Sequence, residues 1–140
     1  MHKISVKTSK KSEFVDVTGK IQNVVDEQKM KHGFVLVYVP HTTAAVTINE
    51  GADPAVQEDI LLRLDKLVPA DDNYKHAEGN SDAHIKASLL GSSEDIIVKD
   101  GKLQLGTWQH VFFFEGDGPR NRTMYVQLRS LSDWKKNLEE

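Results

Sequence analysis

The sequence FVLVYVPHTTAAVTIN occupies residues 34–49 and carries the clearest strand signals of the chain. Phe34–Val39 is a nearly continuous apolar run, short and rich in β-branched residues, which predicts a strand buried on both faces. Pro40 ends this strand because proline has no amide hydrogen to donate. Thr42 to Asn49 then alternates apolar and polar residues, which predicts a second strand with one polar face. His41 lies at the junction.

Helical spacing of apolar residues occurs in three other segments. Residues 19–32 form the first predicted helix, with Thr18 as its N-cap. Asp53-Pro54 resembles a helix start, because Asp accepts bonds from free amides and proline is tolerated at the first helical position. The apolar stripe of that helix is Val56, Ile60, Leu64 and Leu67. A short third helix is predicted from about Ser81 to Gly91, after a long polar loop.

Strands are predicted at both ends of the chain. Ile4 to Val17 alternates as two strands joined by a turn near residues 10–12. The C-terminal third predicts strands at 95–98, 102–105, 108–115 and 123–129, the first two joined by the Asp100-Gly101 turn. This order predicts an α+β fold with a mostly antiparallel sheet and three helices, in a single domain over residues 1–140.

The composition excludes several kinds of site and partner. The chain has no cysteine, which excludes disulfides, thiolate zinc sites, iron–sulfur clusters and a cysteine nucleophile. Its formal charge of −3 lacks the overall positive field that nucleic-acid binding usually requires. No apolar run approaches the roughly 20 residues that cross a bilayer, and the N-terminus lacks a secretion signal. We therefore expect a cytoplasmic protein without a membrane or nucleic-acid partner.

Three histidines suggest a metal site. His76 and His84 bracket a turn, and His84 falls in the first turn of the third predicted helix. The positive end of that helix keeps an imidazole neutral, which is the form that binds a metal, and the same free amides suit a phosphate. His41 would complete a three-imidazole site for a divalent metal. The alternative is that His41 only caps its strand.

Acidic and basic residues offer further candidates. Glu50 and Asp53 would each serve as a general base or an oxygen ligand for Mg²⁺, and the alternative, stronger for Asp53, is a helix cap. If the chain is extended, Arg120 and Arg122 point the same way and form a forked anion clamp, whereas the alternative is surface salt bridges. A buried Gln109 amide would need partners that a ligand can provide.

Seven short motifs occur in one order over about residues 10 to 130. They are Pro40-His41-Thr42-Thr43, Asn49-Glu50 with Asp53-Pro54, Tyr74-Lys75-His76, Asn80 through Ala83-His84, Leu90-Gly91-Ser92-Ser93, Leu105-Gly106-Thr107-Trp108-Gln109 and Gly118-Pro119-Arg120-Asn121-Arg122. Each motif alone is weak, but the ordered set resembles the YjbQ family. The resemblance implies a small α+β subunit with a sandwich- or barrel-like core, assembled as a homotrimer with sites near subunit boundaries.

The same resemblance implies a secondary thiamine-phosphate synthase activity. That reaction joins a hydroxymethylpyrimidine diphosphate to a thiazole phosphate and expels diphosphate, so it needs anion clamps and usually a divalent metal, here Mg²⁺ or Zn²⁺. The resemblance implies that His41, His76 and His84 bind a metal or the diphosphate. Arg120 and Arg122 would neutralise the charge of the leaving group, and Glu50 or Asp53 would handle a proton or Mg²⁺. Thr42 would bind the substrate, and Asn80 and Gln109 would orient it.

Two other functions would use the same residues. One is metal-assisted hydrolysis of a phosphate ester, and the other is a non-enzymatic trimer that binds a metal or a small phosphorylated metabolite. All three functions require the segments near positions 41, 50, 80 and 120 to share one pocket, either inside a subunit or across neighbouring subunits.

Overall fold

The chain folds into two antiparallel sheets and the helices that cover them. The computed structural model describes residues 1–131. In chain order, the elements over this range are β1 (His2–Lys7), β2 (Glu13–Asp16), α1 (Thr18–Glu27), β3 (Gly33–Tyr38), β4 (Ala44–Glu50), α2 (Pro54–Leu67), α3 (Ser81–Leu90), β5 (Ser93–Lys99), β6 (Lys102–Leu103), β7 (Gln109–Glu115) and β8 (Asn121–Ser130). Residues 132–140, which the predicted single domain also includes, lie outside the described part.

The sheets pair strands that are distant in sequence. The larger sheet has the order β1-β8-β3-β5-β6, and the smaller sheet has the order β2-β7-β4. Each described strand pair is antiparallel. Because side chains alternate between the faces of a strand, each sheet can present one apolar face to a shared interior. The predicted α+β fold with a mostly antiparallel, sandwich- or barrel-like core is confirmed.

The main core includes side chains from both sheets and from α1. The buried members of this cluster include Val35 and Val37 of β3 with Val39 just after that strand, Val111 and Phe113 of β7, and Ile21, Val24 and Val25 of α1. Burial of each such Val, Ile or Phe side chain contributes about 1.5–3 kcal/mol. The strand residues on this face, together with the apolar stripe of α1, therefore hold the two sheets together.

The prediction that residues 34–39 are buried on both faces is wrong. Val35 and Val37 are fully buried, but Phe34, Leu36 and Tyr38 are 46%, 39% and 43% exposed. The strand β3 lies in the middle of the larger sheet, and only one face of that sheet meets the main core. An apolar run identifies a strand, but it does not show that the same chain covers both faces.

The smaller sheet is covered on both of its faces. A second apolar cluster contains Ala45 of β4, Phe114 of β7 and Ala87 of α3, with Leu61 of α2 and Leu90 packed against it. Ala45 was predicted to lie on the polar face of its strand, and it is fully buried instead. The helices α2 and α3 therefore form a layer on the outer face of the smaller sheet.

The helix α1 is shorter than predicted at its C-terminal end. Lys29 adopts a left-handed backbone with φ of 54°, which few residues other than glycine do and which terminates the helix before residue 32. The predicted N-cap is also wrong, because the cap residue is Val17. The Thr18 hydroxyl instead accepts a hydrogen bond from the Val111 amide of β7 at 2.8 Å.

The helix α2 begins as predicted but packs differently. Asp53 is its N-cap, and the carboxylate accepts from the Ala55 amide at 2.9 Å. No residue of α2 is fully buried, and Leu67 of the predicted apolar stripe is 70% exposed. None of the described helices is long and apolar enough to span a membrane.

The predicted turn at Asp100-Gly101 is confirmed. Both residues have positive φ, 51° and 77°, as a tight hairpin connection requires. They join β5 to β6.

Candidate functional site

The strand β4 separates the predicted site residues into two groups. A strand of seven residues spans roughly 20 Å. Near its start lie the candidates that we call the histidine end: His41, Thr42, His76, Asn80, His84, Arg120 and Arg122. At its other end lies the glutamate end: Glu50, Asp53 and Gln109. Glu50 pairs directly with Gln109 in the antiparallel register, so a single described chain does not bring both groups into one pocket.

His41 and His84 line one cavity of about 480 Å³ at the histidine end. The cavity is also lined by Thr42 and by the serines Ser88 and Ser92. Its polar groups are therefore imidazoles and hydroxyls. The position of His41 follows from the chain path, because β3 ends at Tyr38 and His41 lies in the short connection to β4.

The hydrogen bonding of His41 determines which nitrogen carries its proton. Both backbone polar groups of Thr123 approach His41 Nε2, the amide nitrogen at 3.0 Å and the carbonyl oxygen at 3.1 Å. An amide N–H can only donate, and a proton on Nε2 would face that amide hydrogen directly. The amide contact therefore assigns Nε2 as the acceptor, because the direction of a backbone amide hydrogen is fixed, and the neutral ring carries its proton on Nδ1.

The surroundings of His41 also keep its ring uncharged. Partial burial and the nearby charge of Arg122, with a smaller effect from Arg120, lower the pKa of His41, although the Thr123 contact and the Glu115 charge act in the opposite direction. His41 is thus a neutral hydrogen-bond donor through Nδ1, and neither ring nitrogen offers a free lone pair to a metal.

His76 and His84 lie together, as the sequence predicted, and His41 shares the first cavity with His84 but does not line the cavity that His76 and His84 share. Their ring centroids are 5.3 Å apart, and the rings meet edge to face. They line a second cavity of about 270 Å³, with Tyr74 and Ser81. Within residues 1–131, no group of three or more His, Asp or Glu side chains is arranged to hold a metal ion. The predicted three-imidazole site is therefore not formed by one chain.

The two arginines do not form the predicted forked clamp. The guanidinium of Arg120 is about half exposed, and it donates to the backbone oxygen and the carboxylate of Asp117, both at 2.8 Å. Arg122 is buried and pairs with Glu115 and Thr43. Arg120 precedes β8, whereas Arg122 is the second residue of that strand and points into the protein, where it pairs with a buried acid. Of the two, only Arg120 is accessible to a ligand.

Asn80 organises Asp117, whereas the sequence suggested that it orients a substrate. Its amide Nδ2 donates to the Asp117 carboxylate at 3.0 Å, and its Oδ1 is buried without a hydrogen-bond partner in the described chain. Burial raises the pKa of Asp117, but the hydrogen bonds from Asn80 and Arg120 and the charge of Arg120 outweigh it, so the net pKa is lowered. Asp117 is therefore held as a carboxylate that fixes the Arg120 guanidinium.

The glutamate end contains mostly residues with structural partners. Asp53 caps α2, which is the alternative the sequence favoured for it. The Gln109 side chain accepts a hydrogen bond from the Gly106 amide at 2.8 Å and so closes its own loop. Gln109 is exposed, so its amide is not a buried group that needs a ligand as partner. The Glu50 carboxylate has no such partner among the described residues, and Trp108 beside it in the fold is 61% exposed. Glu50 remains the candidate for chemistry at this end.

Two charged clusters were missed because they form between distant segments. His110 Nδ1 lies 2.5 Å from the Asp16 carboxylate, and hydrogen bonds from His110 and Thr18 hold the pKa of Asp16 below its usual value although burial raises it. Lys86 is only 1% exposed, 2.5 Å from Asp65 and 3.5 Å from Asp82. The spacing of Asp82 and Lys86 is a helical ion-pair signal, but their burial depends on tertiary packing.

The sequence as a whole matches one family model, described as UPF0047 protein YjbQ-like, over residues 2–130. The chain belongs to this YjbQ-like UPF0047 family. It is 54% identical to UPF0047 protein MJ1081 of Methanocaldococcus jannaschii, covering 91% of this chain and 93% of that protein. It is 44% identical to UPF0047 protein YugU of Bacillus subtilis, covering 89% of this chain and 96% of that protein. The predicted family is therefore confirmed.

Solved structures of YjbQ-like proteins have the same fold. A crystal structure of an uncharacterized conserved protein of this family from Clostridium acetobutylicum matches with a TM-score of 0.91 and 52% identity, covering 92% of this chain and 100% of that one. A protein of unknown function from Sulfolobus solfataricus matches with a TM-score of 0.88 and 35% identity, covering 92% and 95%.

These comparisons correct the expected function. The UPF0047 relatives described above are named without an activity, and a structural neighbour is described as being of unknown function. Nothing in them indicates a thiamine-phosphate synthase-type transferase, so that expectation is wrong. The structure supplies a physical reason as well. The predicted diphosphate clamp loses Arg122 to a buried acid, and the predicted acid residues lie at the far end of β4.

Proposed function

We propose that the protein binds a small phosphorylated metabolite in the cavity between His41 and His84. The proposal depends on His41, whose neutral ring has Nδ1–H as a donor for a ligand. The positive charges of Arg122 and Arg120 act on this ring. Hydroxyl groups of Thr42, Ser88 and Ser92 supply further donors around the cavity. Arg120 does not line the cavity, but its guanidinium is accessible and its charge acts on His41. We place it at the rim as a charged donor, since charge-assisted bonds to phosphate are about twice as strong as neutral ones.

We also propose that the chain works as a homotrimer and that a neighbouring copy completes this site. Phe34, Leu36 and Tyr38 leave an exposed apolar strip on the larger sheet, and Ile97, opposite Phe34, is 59% exposed. Contiguous apolar surface of this kind marks interaction sites in soluble proteins. Because Glu50 lies roughly 20 Å from the cavity of its own chain, its carboxylate can reach a bound ligand only in another copy.

A divalent metal is a second candidate ligand, favoured by the contact between His76 and His84. Two neighbouring imidazoles suit Zn²⁺ better than Mg²⁺, which prefers oxygen ligands. The remaining ligands would come from the bound metabolite or another copy. Metal analysis of protein purified without a histidine tag tests this proposal. A metal content that is stoichiometric in the wild type and lost in His76→Ala supports it, and metal-free wild-type protein that takes up no added Zn²⁺ contradicts it.

Titration calorimetry with inorganic phosphate and pyrophosphate tests the binding function. In His41→Gln, the amide oxygen can still accept from Thr123, but the ring donor is lost, so we expect affinity to fall about 10- to 100-fold. His32→Gln, at an exposed histidine, is the matched control and should bind as the wild type does. Wild-type protein that binds neither probe would contradict the proposal.

A further inference from the structure

The buried carboxylate of Glu115 accepts four hydrogen bonds at the histidine end. Glu115 is the last residue of β7 and is fully buried. Its Oε1 accepts from the Thr8 hydroxyl at 2.7 Å and from Arg122 Nε at 2.9 Å. Its Oε2 accepts from Arg122 Nη2 and from the Asp117 amide at 3.1 Å. One carboxylate thus joins the segment after β1, the β7–β8 turn and β8.

One branch of this network leads to Arg120. The Thr8 hydroxyl that donates to Glu115 also accepts from the Arg120 amide at 2.8 Å, which anchors the backbone of Arg120. The Asp117 residue, whose amide Glu115 holds, accepts from both Nε and Nη2 of Arg120. Glu115 therefore supports the guanidinium of Arg120 through Asp117 and the amide of Arg120 through the Thr8 hydroxyl, beside a direct bond from the Thr8 amide to the Arg120 carbonyl at 2.9 Å. No hydrogen bond joins the side chains of Glu115 and Arg120.

The other branch leads to His41. Arg122, fixed by Glu115, donates from Nη2 to the Thr43 hydroxyl at 2.8 Å, two residues after His41 in the chain. The residue after Arg122 is Thr123, whose amide donates to His41 Nε2 at 3.0 Å. The segment that carries His41 is thus held to β8 at two points, at Thr43 by the Arg122 guanidinium that Glu115 fixes and at His41 by the Thr123 amide.

We propose that Glu115 is a positioning residue for the anion site, which sets the His41 ring through Arg122 and the Arg120 guanidinium through Thr8 and Asp117 without contacting the ligand. This inference rests on the proposed function, because it assigns His41 and Arg120 as the two groups that the ligand contacts. A buried carboxylate suits the role, because each oxygen accepts two directed bonds and the donors come from separate segments. Arg122 is then a support for the site rather than half of a clamp.

Two single substitutions each cut one branch and leave the Glu115–Arg122 pair in place. Thr8→Val removes the hydroxyl that anchors Arg120, and Thr43→Val removes the hydroxyl that accepts from Arg122. Thr8→Ser and Thr43→Ser restore the hydroxyls and are the matched controls. Each Val variant should weaken phosphate affinity about three- to tenfold, as expected for one lost hydrogen bond, and each Ser variant should regain most of it.

Nuclear magnetic resonance of the ligand-free protein separates positioning from general destabilisation. We expect Thr8→Val to speed solvent exchange of the Arg120 Nε–H and leave the His41 ring nitrogen shifts unchanged. Thr43→Val should shift the His41 ring nitrogens and leave Arg120 exchange unchanged. Glu115→Gln should change both signals, and if this variant does not fold, the two Thr variants decide the question alone.

The outcomes also distinguish this inference from the proposed function. Folded Thr8→Val and Thr43→Val variants with wild-type Arg120 exchange and wild-type His41 shifts would overturn the positioning role of Glu115, whatever the protein binds. The variants could instead show the branch-specific changes while the wild-type protein binds neither phosphate nor pyrophosphate. That result would support the positioning of the two side chains and overturn only the ligand assignment.

Discussion

At the scale of the residue, the buried pair of Glu115 and Arg122 links stability to pH. Burial raises the pKa of Glu115. Hydrogen bonds from Arg122, Thr8 and the Asp117 amide, together with the Arg122 charge, lower it by more, so the net pKa lies below its usual value. The unfolded chain therefore binds a proton at Glu115 more readily than the folded one. The stabilisation from this carboxylate is complete above the unfolded pKa and is lost as the pH falls through the folded pKa.

Arg122→Met should destabilise the protein strongly. The substitution keeps an unbranched apolar stem but removes the guanidinium, and it leaves the Glu115 carboxylate buried without its cation, which costs about 3–5 kcal/mol at neutral pH. Urea unfolding at pH 7 and at pH 4 measures the effect. The variant should lose less stability on acidification than the wild type, because protonation of Glu115 then relieves an unpaired charge.

The double variant Glu115→Met with Arg122→Met is the control for this prediction. Replacing both members of a buried pair by apolar side chains is often neutral or stabilising, so it should recover most of the loss. A single Arg122→Met variant within about 1 kcal/mol of the wild type would contradict the structural role, since that value is typical of an exposed pair.

At the scale of the element, the connection from β4 to α2 depends on a close contact at Gly51. A Cβ atom at Gly51 would lie 2.1 Å from Cγ of His110. The ring cannot move freely, because it bonds to Asp16 on β2 and stacks on Phe112 with centroids 6.3 Å apart. The glycine therefore lets the start of α2 approach β7.

Gly51→Ala should destabilise the protein by about 1–3 kcal/mol through this overpacking. Gly19→Ala in α1 is the matched control, because a Cβ atom added there would have no neighbour within 4 Å and the change should be neutral or slightly stabilising. Thermal unfolding measures both variants. Adding His110→Ala to Gly51→Ala should recover part of the loss, and a Gly51→Ala melting temperature equal to that of the wild type would contradict the contact.

At the scale of the whole molecule, the exposed strip on the larger sheet predicts assembly. Leu36 lies on this strip and is 39% exposed in the single chain, whereas the neighbouring Val35 and Val37 are fully buried in the main core. Tyr38 and Tyr125 extend the surface by stacking across β3 and β8, with centroids 6.3 Å apart. An apolar surface of this kind on a soluble protein is expected to be covered by another copy.

Leu36→Glu should convert the assembled protein into a monomer, because a charge would be buried against an apolar partner surface. Light scattering coupled to size exclusion measures the mass. Asn23→Glu on the exposed side of α1 adds the same charge elsewhere and should leave the mass unchanged. A wild-type protein that is monomeric at all accessible concentrations would contradict the proposed trimer.

Features that depend on a few neighbouring residues were readable in the sequence alone. The helix cap at Asp53, the turn at Asp100-Gly101 and the strand at residues 34–39 follow from local hydrogen bonding, backbone preference and side-chain period. The order of motifs also indicated the family and hence the α+β fold. These properties belong to short segments, so no knowledge of their neighbours in space was needed.

Only the tertiary structure decided which side chains are free to meet a ligand. Arg122 was predicted as a clamp but is paired with Glu115, and His41 was predicted as a metal ligand but accepts a bond from Thr123. Glu50 was expected near His41 but lies at the opposite end of β4. In each case the partners are set by the antiparallel register between strands far apart in sequence. A side chain that is buried and already hydrogen-bonded to such a partner is not available to a ligand.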